Sequence, residues 1–163
     1  MPLQPGDAAP DVTLPDTEKN QVSLASLWSE QPLALFFFPL AFSSTCTEEL
    51  CTVRDDTGAY SGLGGRVAAV SVDSPYVLAR YKEDLGADYP FLSDFNREAI
   101  RAFGILREAP VGPGLIHASE RATFVIGTDG RVKYTWVGAH PGLLPPFDEI
   151  KQALAGAGEG VKG

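Results

Sequence analysis

The run Leu33-Ala34-Leu35-Phe36-Phe37-Phe38 contains no polar position. A strand with one wet face alternates apolar and polar residues, so an unbroken apolar run of strand length fits a strand covered on both sides, inside a sheet with helices above and below. Val67 to Val72 (VAAVSV) reads as a second such strand. Between them a long helical stretch is expected, roughly Thr45 to Tyr60. A well-punctuated helix follows, with Ser74 as N-cap, Pro75 at the first helical position and Gly86 ending it in a left-handed conformation. Asn96 and Gly104 bracket a shorter helix in the same manner.

The flanks complete the layout. Asp11 to Leu14 and Gln21 to Ser23, separated by the polar turn Pro15 to Asn20, predict an N-terminal β-hairpin. Ala122 to Ile126 and Arg131 to Val137 enclose the turn Gly127-Thr128-Asp129-Gly130, a second hairpin with Val132, Tyr134 and Trp136 alternating on one face. After Pro145-Pro146, the helical spacing of Phe147, Ile150 and Leu154 predicts a closing amphipathic helix. This order gives the α/β class, a central mixed β-sheet flanked by helices in a thioredoxin-like fold with an N-terminal β-hairpin. A chain of 163 residues fits one domain, placed at residues 1–154. Residues 155–163, rich in glycine and poor in large side chains, are expected to form a flexible C-terminal tail.

Composition excludes several function classes. A net charge of -8 without a basic cluster opposes nucleic-acid binding. The longest apolar run, Leu33 to Leu40, falls far short of the ~20 residues of a membrane span, and no basic segment leads into an apolar one at the N-terminus, so a cytoplasmic, membrane-free protein is expected. Two cysteines, Cys46 and Cys51, are too few for a disulfide framework. A reactive or merely buried thiol remains.

Thr45-Cys46-Thr47-Glu48 has the form of a capping box, which makes Thr45 the N-cap and Cys46 the first helical residue. Unpaired N–H groups and the helix dipole at that end favour the thiolate, the reactive form of cysteine. Hydroxyls at Ser43, Ser44, Thr45 and Thr47 surround it, unlike the apolar neighbours of an inert thiol. Glu48 and Glu49 oppose ionisation and call for a compensating cation. Arg121, just ahead of the Ala122 strand, is the candidate, set against its plain reading as a solvated strand-edge arginine.

These residues resemble the peroxiredoxins: Pro-x-x-x-Ser-x-x-Cys at 39 to 46, Glu49 three residues on, and Arg121 before Thr123-Phe124-Val125-Ile126. The resemblance runs from Gly6-Asp7-Ala8-Ala9-Pro10-Asp11 to the final helix. Phe-Phe-Pro-Leu-Ala-Phe (37 to 42) and Leu-Ser-Asp-Phe (92 to 95) are similar to the alkyl hydroperoxide reductase E group, while a second cysteine five residues on is similar to the bacterioferritin comigratory protein group. The resemblance implies a cofactor-free, metal-free thiol peroxidase that reduces hydrogen peroxide or organic hydroperoxides through a sulfenic acid. It makes Cys46 the peroxidatic cysteine and Arg121 the cation that stabilises its thiolate and binds peroxide. Pro39 shields the sulfur, Ser43 hydrogen-bonds the peroxide where the family usually has threonine, and Glu49 orients Arg121. It also implies a thiol reductant such as thioredoxin or a glutaredoxin-like protein, and allows a homodimer.

On an intact helix, five residues separate Cα atoms by roughly 8.7 Å, beyond the ~7 Å that a disulfide tolerates. Cys51 resolves Cys46 only if the first helical turns unwind; otherwise it is a structural thiol and another thiol resolves. The segment Ile105 to Ser119 either borders the substrate entrance or is a surface excursion, and Phe42 contacts an organic peroxide or a partner subunit, or packs in the core. His117 and His140 lack metal-ligand spacing. A thioredoxin-like dithiol oxidoreductase acting on proteins normally carries C-x-x-C, and a copper or zinc carrier needs more soft ligands.

Overall fold

In a computed structural model, which describes residues 1–160 with side chains through 157, the Leu33–Phe37 segment is the central strand of a five-stranded sheet. This strand, β3, follows β1 (Thr13–Pro15), β2 (Gln21–Ser23) and α1 (Leu24–Trp28). It pairs in parallel with β4 (Arg66–Ser71), Leu33 opposite Arg66 and Phe37 opposite Val70, and antiparallel with β6 (Ala122–Ile126), Leu33 opposite Ile126. β5 (Phe91–Ser93) lies outside β4 and β7 (Val132–Val137) outside β6, giving the mixed order β5-β4-β3-β6-β7. Successive β3 side chains enter two separate cores. Leu33, Leu35 and Phe37 pack with Trp28, Ile100 and Phe103, whereas Ala34, Phe36 and Phe38 pack with Leu50, Tyr81 and Leu154. Helices therefore cover both faces, which is why no β3 position tolerates a polar group.

One layer holds α1 and α5 (Glu98–Ala102); the other holds α2 (Ser44–Asp55), α3 (Thr57–Gly62), α4 (Pro75–Leu85) and α6 (Phe147–Gly160). α4 is bounded as its sequence dictates: Ser74 Oγ accepts from the Val77 amide at 3.3 Å, Pro75 opens it, and Gly86 closes it at φ 63°. α5 is capped differently from expectation. Asn96 is not its N-cap; Arg97 is, at φ 63°, while the buried Asp94 carboxylate accepts from the Ala99 and Ile100 amides at 3.0 and 2.8 Å. The antiparallel hairpin β1–β2 starts two residues later than expected, because Asp11 is turned to accept from Ser23 Oγ (2.7 Å) and the Ala25 amide (3.0 Å) at the start of α1.

Three further readings change. The stretch expected as one helix over 45–60 is two, α2 and α3, broken at Asp56 (φ -118°, ψ 11°) where the weak helix formers Thr57 and Gly58 follow. α1 and β5, at five and three residues, are too short for periodicity to mark. The expected tail at 155–163 is partly helix: α6 continues to Gly160, and Ala157 is buried one turn beyond Leu154 on the same core. Apolar contact at this i, i+3 pair outweighs the poor propensity of Gly156 and Gly158; positions 161–163 lie outside the described residues. Among the described residues no helix is long and apolar enough to cross a membrane.

Candidate active site

The chain leaves β3 through Phe38 and the buried Pro39 and turns over the C-terminal end of the parallel strands. Asp73, just past β4, holds this turn: its Oδ2 accepts from the Ala41 amide at 2.7 Å and from Ser71 Oγ at 2.7 Å. Phe42 then adopts φ 67°, a left-handed conformation unfavourable for a bulky side chain, and Ser43 is extended (φ -76°, ψ 151°) as the N-cap of α2. The helix thus begins at Ser44, earlier than the capping-box reading. Thr45 is inside it, no side chain caps it, and Cys46 is its third residue, not its first. Cys46 remains in the first turn, where backbone amides are unpaired within the helix.

Cys46 and Glu49, three residues apart on one face of α2, are both fully buried. Arg121, entering β6 from the opposite side of the sheet connection, is itself 2% exposed and uses its three nitrogens on three acceptors. Nη2 donates to Cys46 Sγ at 3.2 Å, Nη1 to Glu49 Oε1 at 2.5 Å, and Nε to the Pro141 carbonyl at 2.9 Å. Burial pushes the Glu49 carboxyl up to about 7, against the opposing charge and hydrogen bond of Arg121. Burial works to lower Arg121, but the charges of Glu49 and Cys46 outweigh it and hold the guanidinium above its ordinary value. Oε2 of Glu49 has no hydrogen-bond partner among the described residues.

Above this cluster lies a cavity of about 150 Å³, lined by Pro39, Leu40, Ser43, Thr45, Arg121 and Pro141 among others. The residues named from sequence therefore converge: Cys46, Glu49 and Arg121 touch, and Pro39 and Ser43 share the cavity wall with Arg121. Ser43 Oγ donates to the Leu40 carbonyl at 3.1 Å, which ties the hydroxyl to the loop. Cys51 sits later on α2, partly exposed at the edge of the core, and both thiols are free. Val111 is the residue of the 105–119 segment that reaches this cavity. Phe42 belongs to no core: it is 54% exposed, its ring 4.7 Å from that of Tyr81. His117 and His140 are exposed, and no three metal-ligating side chains cluster among the described residues. A larger cavity of about 480 Å³ lies away from Cys46, beside Gln31, Arg66 and Asp88.

Sequence reasoning missed Asp73 and Pro141. Asp73 carried a usable signal, since it follows a parallel strand at its C-terminal end, where α/β sheets gather their sites. Pro141 acts through its carbonyl, which no side-chain pattern reveals.

The AhpC/TSA family profile matches residues 5–135. The peroxiredoxin Bcp of Escherichia coli strain K12 is 30% identical over 135 residues, covering 83% of this chain and 86% of Bcp. A Mycobacterium tuberculosis relative with a provisional peroxiredoxin name is 36% identical over 130 residues, 80% of this chain and 82% of its own. Among solved structures, the peroxidoxin BcpB of Mycobacterium tuberculosis superposes with a TM-score of 0.84 at 29% identity, covering 94% of this chain and 97% of BcpB. Shared sequence over most of both chains and a shared fold place this protein: it belongs to the AhpC/TSA family and is a peroxiredoxin, a thiol peroxidase related to the Bcp group.

Proposed function

We propose that Cys46 is the peroxidatic thiol and that Cys51 resolves it. The observation that carries the reading is the 3.2 Å contact from Arg121 Nη2 to Cys46 Sγ inside a site closed to bulk water. A cation donating to sulfur favours the thiolate, and in a water-poor site that interaction is screened little. Peroxide enters the cavity beside Arg121 and Ser43. The thiolate attacks one peroxide oxygen, the O–O bond breaks, and the leaving oxygen takes the electron pair and a proton from solvent. The products are Cys46 sulfenic acid and water, or an alcohol from an organic hydroperoxide. Arg121 faces the negative charge that develops on the leaving oxygen, Glu49 and the Pro141 carbonyl hold its guanidinium in plane, and Pro39 keeps water from the sulfur.

Cys51 then attacks the sulfenic sulfur, the S–O bond breaks, and water leaves as the disulfide forms. Both cysteines lie on one unbroken helix, so this step requires the first turns of α2 to open. A dithiol protein of the thioredoxin or glutaredoxin type supplies the two electrons that restore both thiols. Intact mass after one equivalent of hydrogen peroxide tests the assignment. Wild type loses two hydrogens, Cys51→Ser gains one oxygen, and Cys46→Ser does neither and consumes no peroxide. A Cys51→Ser protein that still loses two hydrogens sinks Cys51 as the resolving thiol.

A further inference from the structure

Four residues lie between the two cysteines, and the structure ties three of them to the rest of the protein. Glu49 is held by Arg121, as described. Thr47 Oγ1 shares a hydrogen bond of 3.0 Å with the hydroxyl of Tyr81, and the Leu50 carbonyl accepts one of 2.7 Å from the hydroxyl of Tyr89. Tyr81 is in α4 and Tyr89 in the connection from α4 to β5. Both side chains are almost fully buried, with 1% and 3% exposure, so these partners satisfy hydroxyls that have little access to water. The Tyr81 ring also packs against that of Phe42, the residue held at φ 67° immediately before the α2 N-cap.

These contacts have a shared location. A disulfide between residues 46 and 51 closes a loop that contains both Thr47 and Leu50, and forming it moves the backbone to which both tyrosines are bonded. Among the described residues, neither tyrosine hydroxyl is hydrogen-bonded to Cys46 or Arg121, and neither tyrosine lines the cavity. Their bonds therefore oppose opening of the helix without entering the reaction of sulfur with peroxide. Tyr81 adds a second restraint, since it packs on a residue whose backbone relaxes toward ordinary φ values once the turn is released.

We propose that Tyr81 and Tyr89 are positioning residues that act as a two-point clamp on the Cys46–Cys51 turn, setting how long the sulfenic acid waits before Cys51 reaches it. The proposal rests on the reading of Cys51 as the resolving thiol for its effect on the cycle, although the clamp itself is a property of the reduced helix. A slow clamp exposes the sulfenic acid to a second peroxide, which inserts another oxygen to give the sulfinic acid and a second water. A loosened clamp favours the disulfide, formed with loss of water.

The test uses the full chain with Tyr81→Phe, Tyr89→Phe and the double variant, which keep both rings and remove only the hydroxyls. In the reduced proteins, amide hydrogen exchange of the peptide covering 46–51 should speed up about fivefold for each single variant. After one equivalent of hydrogen peroxide, rapid-quench mass spectrometry should show the sulfenate-forming phase within twofold of wild type and disulfide formation faster by a similar fivefold. The peroxide concentration that gives half sulfinic acid should rise with it. If wild type forms no Cys46–Cys51 disulfide yet exchange at 46–51 accelerates in the variants, the clamp stands and the resolving assignment fails. If the disulfide forms in wild type but neither exchange at 46–51 nor its formation rate changes in the variants, the clamp is overturned. Acceleration of exchange throughout the chain, with the disulfide rate unchanged, also overturns it, because the hydroxyls are then general core supports.

Discussion

Replacing Arg121 by lysine keeps one positive charge in the site and removes the fork that directs it. The guanidinium donates at once to Cys46 Sγ, Glu49 Oε1 and the Pro141 carbonyl, contributed by a helix face and a distant loop. A compact ammonium on a flexible stem cannot take up all three geometries. It will settle on the carboxylate, whose second oxygen already lacks a partner, and leave the sulfur without its donor. Loss of one preorganised donor at a site of developing charge costs about 10²- to 10³-fold in rate. Arg121→Met removes the charge as well. At 3.2 Å and an effective dielectric near 20, the full Coulomb interaction is about 5 kcal/mol, so a loss of ~10³-fold or more is expected. The assay is the second-order rate of sulfenic acid formation in the first turnover, trapped with a dimedone-type reagent and read by intact mass over a range of peroxide concentrations. Urea unfolding of the same samples confirms that they are folded. An Arg121→Lys protein within threefold of the wild-type rate would refute the claim that directed donation, rather than charge alone, activates this sulfur.

The buried Glu49 carboxyl gives a pH signature. Its folded value, about 7, lies above its ordinary 4.5, so the folded chain holds this proton more tightly than the unfolded one. Its contribution to stability is present below about 4.5 and is lost as pH rises through about 7. Relative to Glu49→Gln, wild type should lose on the order of 3 kcal/mol in urea unfolding between pH 4 and pH 8, and a pH-independent difference would show that Arg121 fully compensates the burial. At Gly104, φ is 74° and an added Cβ would lie 1.9 Å from the Met1 carbonyl oxygen, so Gly104→Ala should cost roughly 2–4 kcal/mol in the urea midpoint by displacing the first residues. A cost below about 1 kcal/mol means that the N-terminal segment does not pack on this turn.

How much was readable from sequence depended on the range of the interaction. The buried strand Leu33–Phe37 and the ends of α4 at Ser74, Pro75 and Gly86 were legible because backbone sterics, capping and apolar periodicity act within a few residues. The asparagine at 96 carried the same local signal and lost: Asp94, buried two residues earlier, supplies the acceptor that the α5 amides need. The register of α2 was missed for a related reason. Thr45 looks like a cap, but Phe42 in a left-handed conformation turns the chain early enough for Ser43 to take that position. Meeting of Arg121 with Cys46, 75 residues apart, was not encoded in any spacing: the charges of Glu48 and Glu49 called for a cation and made Arg121 a candidate, and family likeness supplied its role. Tyr81 and Tyr89 offered no such help, because each reads as an ordinary core aromatic until its hydroxyl is traced to α2.

In the proposed cycle the same turn of α2 does two opposed things. Folded, it presents Cys46 to Arg121 with Glu49 in place; opened, it lets Cys51 approach. Oxidation itself tips this balance. In the reduced site Arg121 donates both to Cys46 Sγ and to the Glu49 carboxyl. On the proposed thiolate mechanism, sulfenic acid formation replaces a charged acceptor by a neutral one, so the Coulomb attraction between the guanidinium and the sulfur is lost. The helix therefore loses part of what holds its first turn at the moment when opening becomes useful, while Thr47 and Leu50 remain fastened to the two tyrosines. Activation is stored in the contact that the reaction consumes, and delay in contacts that it leaves intact. Changing Arg121 should alter the peroxide step first, and changing the tyrosine hydroxyls should alter only the interval that follows it.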